Sequence, residues 1–217
     1  MPNFKSRLDD FMLSSQLLIE NALSDIEIKT ALSSFGYDDN KLMTGKRLYE
    51  EVVNLHNKQK KEYGEQIEAT NDLNKSWEEI DKIYMKTLKI ARVALQNNTK
   101  ANTSMMINGV RKKSLSGWLE QANAFYSNII DDKELINEMV QFGYSAEKFN
   151  FEYNLVKGLY EKNLKQKKEM GEAQEATEMR DKKIDELDKW IAEFKVIVKI
   201  ALEDKRQKLE KLGIVAK

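Results

Sequence analysis

From Leu42 onward the apolar residues of this chain recur in sevens. Leu42, Tyr49, Tyr63, Trp77, Tyr84 and Ala91 mark one line of the stripe, and Val52, Leu73, Ile80 and Ala94 a second. A second stripe of the same phase runs through Phe149, Val156, Ile184, Ile191 and Val198. Such spacing predicts long amphipathic helices with coiled-coil character. The stripe is apolar at its ends and polar in its middle, where Gln59, Gln66 and Thr70, and again Gln166 and Thr177, replace aliphatic residues. The ends therefore belong in helical bundles, and the middle spans between them.

The two stripes belong to a duplication. Phe35-Gly36-Tyr37 returns in the second half of the chain as Phe142-Gly143-Tyr144. At the same offset Lys58-Gln59-Lys60-Lys61-Glu62 matches Lys165-Gln166-Lys167-Lys168-Glu169. Gly64-Glu65 matches Gly171-Glu172, and Glu68-Ala69-Thr70 matches Glu175-Ala176-Thr177. Asp25 and Asp132 are placed to accept from the free N–H groups of a short helix. Gly36 and Gly143 are placed to end it, because glycine takes the left-handed backbone angle cheaply. The pattern predicts helices over 4–22, 25–35 and 39–97, then 115–129, 132–142 and 146–210. The phase passes through Gly64 and Gly171 without a shift, which favours continuous long helices of roughly 90 Å over hairpins. The fold expected is all-α: two tandem helical repeats, residues 1–97 and 115–217, joined by a connector at 98–114. They pack as one pseudo-two-fold bundle, antiparallel coiled coil in part.

Composition supports helices and narrows the chemistry. A single proline and nine glycines in 217 residues leave little material for sheets and tight turns. Charged residues reach 33%, above the usual quarter, as suits long solvated helices. Lys and Arg number 36, as do Asp and Glu. The balance gives no general attraction to nucleic acid or anionic lipid. With no cysteine, disulfides, thiolate metal sites and a cysteine nucleophile are excluded. The stretch from Met12 to Leu23 is too polar for a signal peptide. No run approaches the length of a membrane span. The expected location is cytoplasmic, away from the membrane.

The sharpest motif is the duplicated polar block, which keeps ten of thirteen positions while the apolar ends have drifted. Its candidate contact residues are Lys58, Gln59, Lys61, Gly64, Glu65 and Thr70, and Lys165, Gln166, Lys168, Gly171, Glu172 and Thr177. Such a patch could meet a ligand, an ion or a partner. Ordinary pairing of Lys and Glu four residues apart, worth a few tenths of a kcal/mol, explains it more simply. Gly64 and Gly171 each cost about 1 kcal/mol in a helix, so a close crossing or a kink is expected there. Glu62, Glu65, Glu169 and Glu172 are the only acidic set worth weighing for a hard cation, and a solvated helix face is the simpler reading. His56 is the sole histidine, and Val53 stands where a di-iron Glu-x-x-His motif needs glutamate. The basic run Arg111-Lys112-Lys113 is the best nucleic-acid signal, weakened by interleaved acidic residues. No phosphate-loop, dinucleotide, zinc-protease or nucleophile-elbow motif occurs.

The duplicated layout of FGY, KQKKEYGEQIEAT and ARVAL resembles a group of uncharacterised bacterial helical-bundle proteins. The resemblance covers most of the chain. It implies a cytoplasmic bacterial protein and adds no site residues. The expectation is a non-enzymatic structural or protein-interaction protein, with a protein partner or self-association and without catalytic residues, metal or cofactor. The alternatives kept open are a small-ligand or metal-binding bundle, with or without enzymatic activity, and a nucleic-acid accessory protein, which the charge balance disfavours.

Overall fold

The computed structural model describes residues 4–215, and every regular element among them is an α-helix. There are eight among the described residues. They are α1 (Phe4–Ser24), α2 (Ile26–Ser33), α3 (Asp39–Ala94), α4 (Thr99–Ser104), α5 (Leu115–Asp131), α6 (Lys133–Val140), α7 (Ala146–Ala201) and α8 (Arg206–Lys211). None is long and apolar enough to cross a membrane.

Helix ends follow the local chemistry. Asp25 accepts from the N–H groups of Glu27 and Ile28 at the start of α2, and Asp132 does the same for Glu134 and Leu135 at α6. Both aspartates sit outside the helices they cap, so α2 and α6 are shorter than expected. Each ends on a left-handed glycine, Gly36 and Gly143, both at φ +79°. Tyr37 N–H reaches back to Leu32 C=O at 3.2 Å, and Tyr144 N–H to Met139 C=O at 3.3 Å, the Schellman closure. The tyrosine after each glycine turns inward: Tyr37 and Tyr144 are buried while Phe35 and Phe142 stay partly exposed. The FGY motif is thus a helix stop followed by a core anchor.

Both long helices are uninterrupted for 56 residues. They end earlier than the stripes suggest, however. The expected helix over 146–210 stops at Ala201, and α8 is a separate turn of helix. This break turns Leu209 and Leu212 into the same core as Leu202. Lys208 and Lys211 then place their ammonium groups 2.9 Å from Asp25, and Asn21 Nδ2 donates to Lys211 C=O at 2.7 Å. The two ammonium groups hold the Asp25 carboxyl well below the usual carboxylate range. Its stabilising contribution is therefore complete above the ordinary carboxylate pKa and fades only as acid protonates it. In the expected helix over 39–97, α3 likewise stops at Ala94, and Asn98 accepts from Ala101 N–H to start α4.

The chain forms two compact units, and each draws on both halves of the sequence. The first comprises Met1–Glu62 and Glu172–Lys217, the second Tyr63–Gly171. In the first, Leu18 and Ile19 of α1, Ile28 and Leu32 of α2 and Leu42 and Val52 of α3 pack with Leu187, Ile191, Phe194 and Val198 of α7. In the second, Tyr84, Leu88 and Ala91 of α3 pack with Trp118, Phe125 and Tyr126 of α5, Leu135 and Met139 of α6, and Phe149, Val156 and Leu159 of α7. Met105 and Ile107 of the connector are wholly buried there.

Glycine plays two opposite roles in the long helices. A Cβ on Gly45 would lie 2.3–2.6 Å from the ring of Trp190, so this glycine lets the indole lie against α3. Gly64 and Gly171 have nothing within 4 Å of a Cβ, and both lie inside uninterrupted helices. Of the two reasons expected from the sequence, a close crossing does not account for them. Thermal unfolding should separate the two cases. Gly45→Ala should cost about 1–3 kcal/mol through overpacking, whereas Gly64→Ala and Gly171→Ala should each gain up to about 1 kcal/mol. A loss of stability at position 64 or 171 would mean that the glycine is needed there.

Candidate functional site

The boundary between the compact units runs through both copies of the polar block. Lys58, Gln59, Lys61 and Glu62 belong to the first unit together with Glu172 and Thr177. Gly64, Glu65 and Thr70 belong to the second with Lys165, Gln166, Lys168, Glu169 and Gly171. In the first unit Arg180 Nη1 donates to Gln59 Oε1 at 3.1 Å, and Thr177 Oγ1 donates to the backbone of Ala173. In the second, Gln166 Nε2 lies 3.5 Å from Thr70 Oγ1 and 2.8 Å from Met170 Sδ. Thr70 itself donates to Gln66 C=O. Nearby, Lys162 Nζ lies 2.5 Å from Asp72 and holds that carboxyl below its ordinary range. Lys58, Lys61, Lys165 and Lys168 are exposed. Glu65 and Glu169 bring carboxylate oxygens within 4.8 Å of each other. Glu62 precedes Glu65 by one turn of α3, and Glu172 follows Glu169 by one turn of α7.

Two concave features of the second unit lie further along α3, around Trp77. One groove, of about 670 Å³, runs between α3, α5 and α7. Leu73, Trp77, Leu115 and Leu119 supply its apolar surface, and Thr70, Asn74, Asn163 and Gln166 its polar rim. Tyr160 stands beside it, 54% exposed. A cleft of about 570 Å³ lies on the connector side and shares Asn74 and Trp77 with the groove. Trp77, Met85 and Trp118 form its apolar walls. Glu78 and Asp81 line it from α3, and Arg111, Lys112 and Lys113 from the connector.

The cleft is held from behind. Trp118 Nε1 donates to Asp81 Oδ1 at 2.6 Å, and the ring meets Trp77 edge-on at 6.3 Å and Tyr84 at 5.6 Å. Arg111 is fixed by neutral acceptors: Tyr84 OH at 3.0 Å, Met106 C=O at 2.7 Å and Asn108 C=O at 2.9 Å. Lys112 pairs with Glu120. Burial raises the Tyr84 hydroxyl above its ordinary pKa, partly offset by Arg111. The basic run that reads as a linker in the sequence is therefore tied inward through its first residue.

Behind Tyr84 lies a buried carboxylate. Glu152 Oε2 accepts from Thr87 Oγ1 at 2.7 Å and from Tyr126 OH at 2.9 Å. Tyr144 OH lies 3.3 Å from Thr87 Oγ1. Burial, reinforced by the Glu152 charge, drives the Tyr126 hydroxyl far above its usual pKa, so it remains a donor. Glu152 belongs to no motif of the sequence and was missed there. Its one signal was a charged residue at a stripe position, three after Phe149. At the matching place in the first repeat stands Gly45, under Trp190.

Removing the Glu152 carboxylate leaves two buried hydroxyls without their acceptor, at about 1–3 kcal/mol for each unsatisfied group. Glu152→Ala should thus lower stability by about 3 kcal/mol in chemical denaturation, and Glu152→Gln, which keeps an acceptor oxygen, by clearly less. Equal losses would show that the acceptor is immaterial. In comparison with known proteins, no family model, curated protein or solved structure matches the chain.

Proposed function

We propose that this is a non-enzymatic helical interaction protein whose second unit receives the apolar face of a protein partner in the groove between α3, α5 and α7. The observation that carries the reading is that groove, with Leu73, Trp77, Leu115 and Leu119 along it and half-exposed Tyr160 at its edge. An apolar helix face laid in a groove of this kind removes such residues from water, and polar rim groups fix its register. Leu164, 54% exposed one turn beyond Tyr160, extends the apolar surface.

The same reading takes the chain as a duplicated unit, residues 1–97 and 115–217, with α3 and α7 forming antiparallel coiled coil in part. Three helices of the first half, α2, α3 and α4, have counterparts of the same length in α6, α7 and α8, at the offset that relates the two FGY motifs. Within the second unit, Thr70 meets Gln166 and Asp72 meets Lys162, so residue numbers run in opposite directions along α3 and α7. In the first unit Glu51 meets Lys183 and Gln59 meets Arg180, with the same sense. A cytoplasmic partner, or a second copy of the chain, is the occupant this reading implies.

Photo-crosslinking in cells tests it. With p-benzoylphenylalanine in place of Tyr160, a discrete protein adduct is expected. The same residue in place of exposed Lys86 should give only background. Equal labelling at both positions, or none at position 160, would contradict the proposal. An adduct of twice the chain mass would identify self-association.

A further inference from the structure

We propose that the cleft between α3 and the connector binds a small zwitterion with an apolar body, in the class of free α-amino acids with a large apolar side chain. Its walls carry opposite charge. Glu78 and Asp81, one turn apart, present carboxylates from α3, and Arg111 and Lys113 present cations from the connector, where Lys112 is already paired with Glu120. Between them lie Trp77, Met85 and Trp118. A ligand with an ammonium group, a carboxylate and an apolar body can satisfy all three surfaces at once. An ion of a single sign would meet one wall with the wrong charge. The volume, about 570 Å³, falls in the range of small-ligand pockets.

Two further observations point the same way. One group on each wall is pre-positioned. Asp81 is bonded to Trp118, and the Arg111 guanidinium is held by a hydroxyl and two backbone carbonyls. Those acceptors are neutral, so they orient the Arg111 charge without cancelling it. Rigid polar groups reduce the ordering cost of binding. The apolar walls of the cleft and Arg111 also belong to one repeat alone. At the offset of the duplication, Trp77, Met85, Arg111 and Trp118 correspond to Ile184, Ala192, Phe4 and Phe11. Glu78, Asp81 and Lys112 do recur, as Asp185, Asp188 and Lys5, so what sets this copy apart is the arginine and the two tryptophans placed among those charges.

Calorimetric titration of the full chain with L-phenylalanine tests the proposal. Three analogues each lack one feature: 3-phenylpropanoate the ammonium group, phenethylamine the carboxylate and L-alanine the ring. Saturable binding of one L-phenylalanine per chain is expected, with each analogue at least about tenfold weaker. Lys113→Gln should weaken 3-phenylpropanoate and leave phenethylamine unchanged, and Glu78→Gln should do the reverse. Both positions are exposed, and an unchanged melting transition confirms that the variants fold. Absence of saturable binding at millimolar L-phenylalanine, or binding indifferent to the loss of either charge, would overturn the proposal. Neither outcome bears on the groove beside Tyr160, so the two proposals fail separately.

Discussion

A helix as long as α3 or α7 cannot bury its own apolar stripe, and this constraint organises the rest of the structure. Each end of the two helices needs others to cover it, and the short helices beside it in sequence cover only part. The start of α3 is completed by α1, α2 and the end of α7, and its end by α5, α6 and the start of α7. Both cores therefore take segments from both halves of the chain. Burial is the dominant favourable term in folding. Neither half of the sequence owns a complete core in which to realise it.

Given that scaffold, the two cores have been filled differently. In the first, Gly45 leaves room for Trp190, whose ring meets Phe194 at 4.8 Å and Tyr37 at 6.0 Å. In the second, the matching position is Glu152, and Thr87 and Tyr126 stand where the other repeat has Phe194 and Ile19. A buried carboxylate costs several kcal/mol of desolvation unless its hydrogen bonds are made. Here two hydroxyls make them. Outward from that cluster come Tyr84, Trp118 and Arg111, and then the mixed-charge cleft. The polar departures lead through the second unit to the cleft beside Trp77.

Much of the helical architecture was legible in the sequence, because it rests on short-range signals. Asp25, Asp132, Gly36 and Gly143 mark helix ends by capping and backbone angle, and a seven-residue phase carried through Gly64 and Gly171 marks α3 and α7 as continuous. The breaks before α4 and α8 were less legible, since Leu95 and Leu202 keep the stripe going and only packing turns Leu209 back to the core. Function was hardest to read. The duplicated polar block drew attention to lysines that are exposed in the structure. The cleft and the buried Glu152 depend on which side chains tertiary packing brings together, and spacing along one helix does not carry that information. Arg111 shows the difference: in sequence it belongs to a basic run, and in the structure it is bonded to Tyr84, Met106 and Asn108.

The claim that both cores require both halves can be tested by cutting the chain at the exposed peptide between Gly109 and Val110. Residues 1–109 and 110–217 would be produced separately and followed by far-ultraviolet circular dichroism on heating. Each fragment alone, held monomeric, should lack a cooperative transition, and mixing the two should restore one close to that of the intact chain. A monomeric fragment that melts cooperatively by itself would contradict the account.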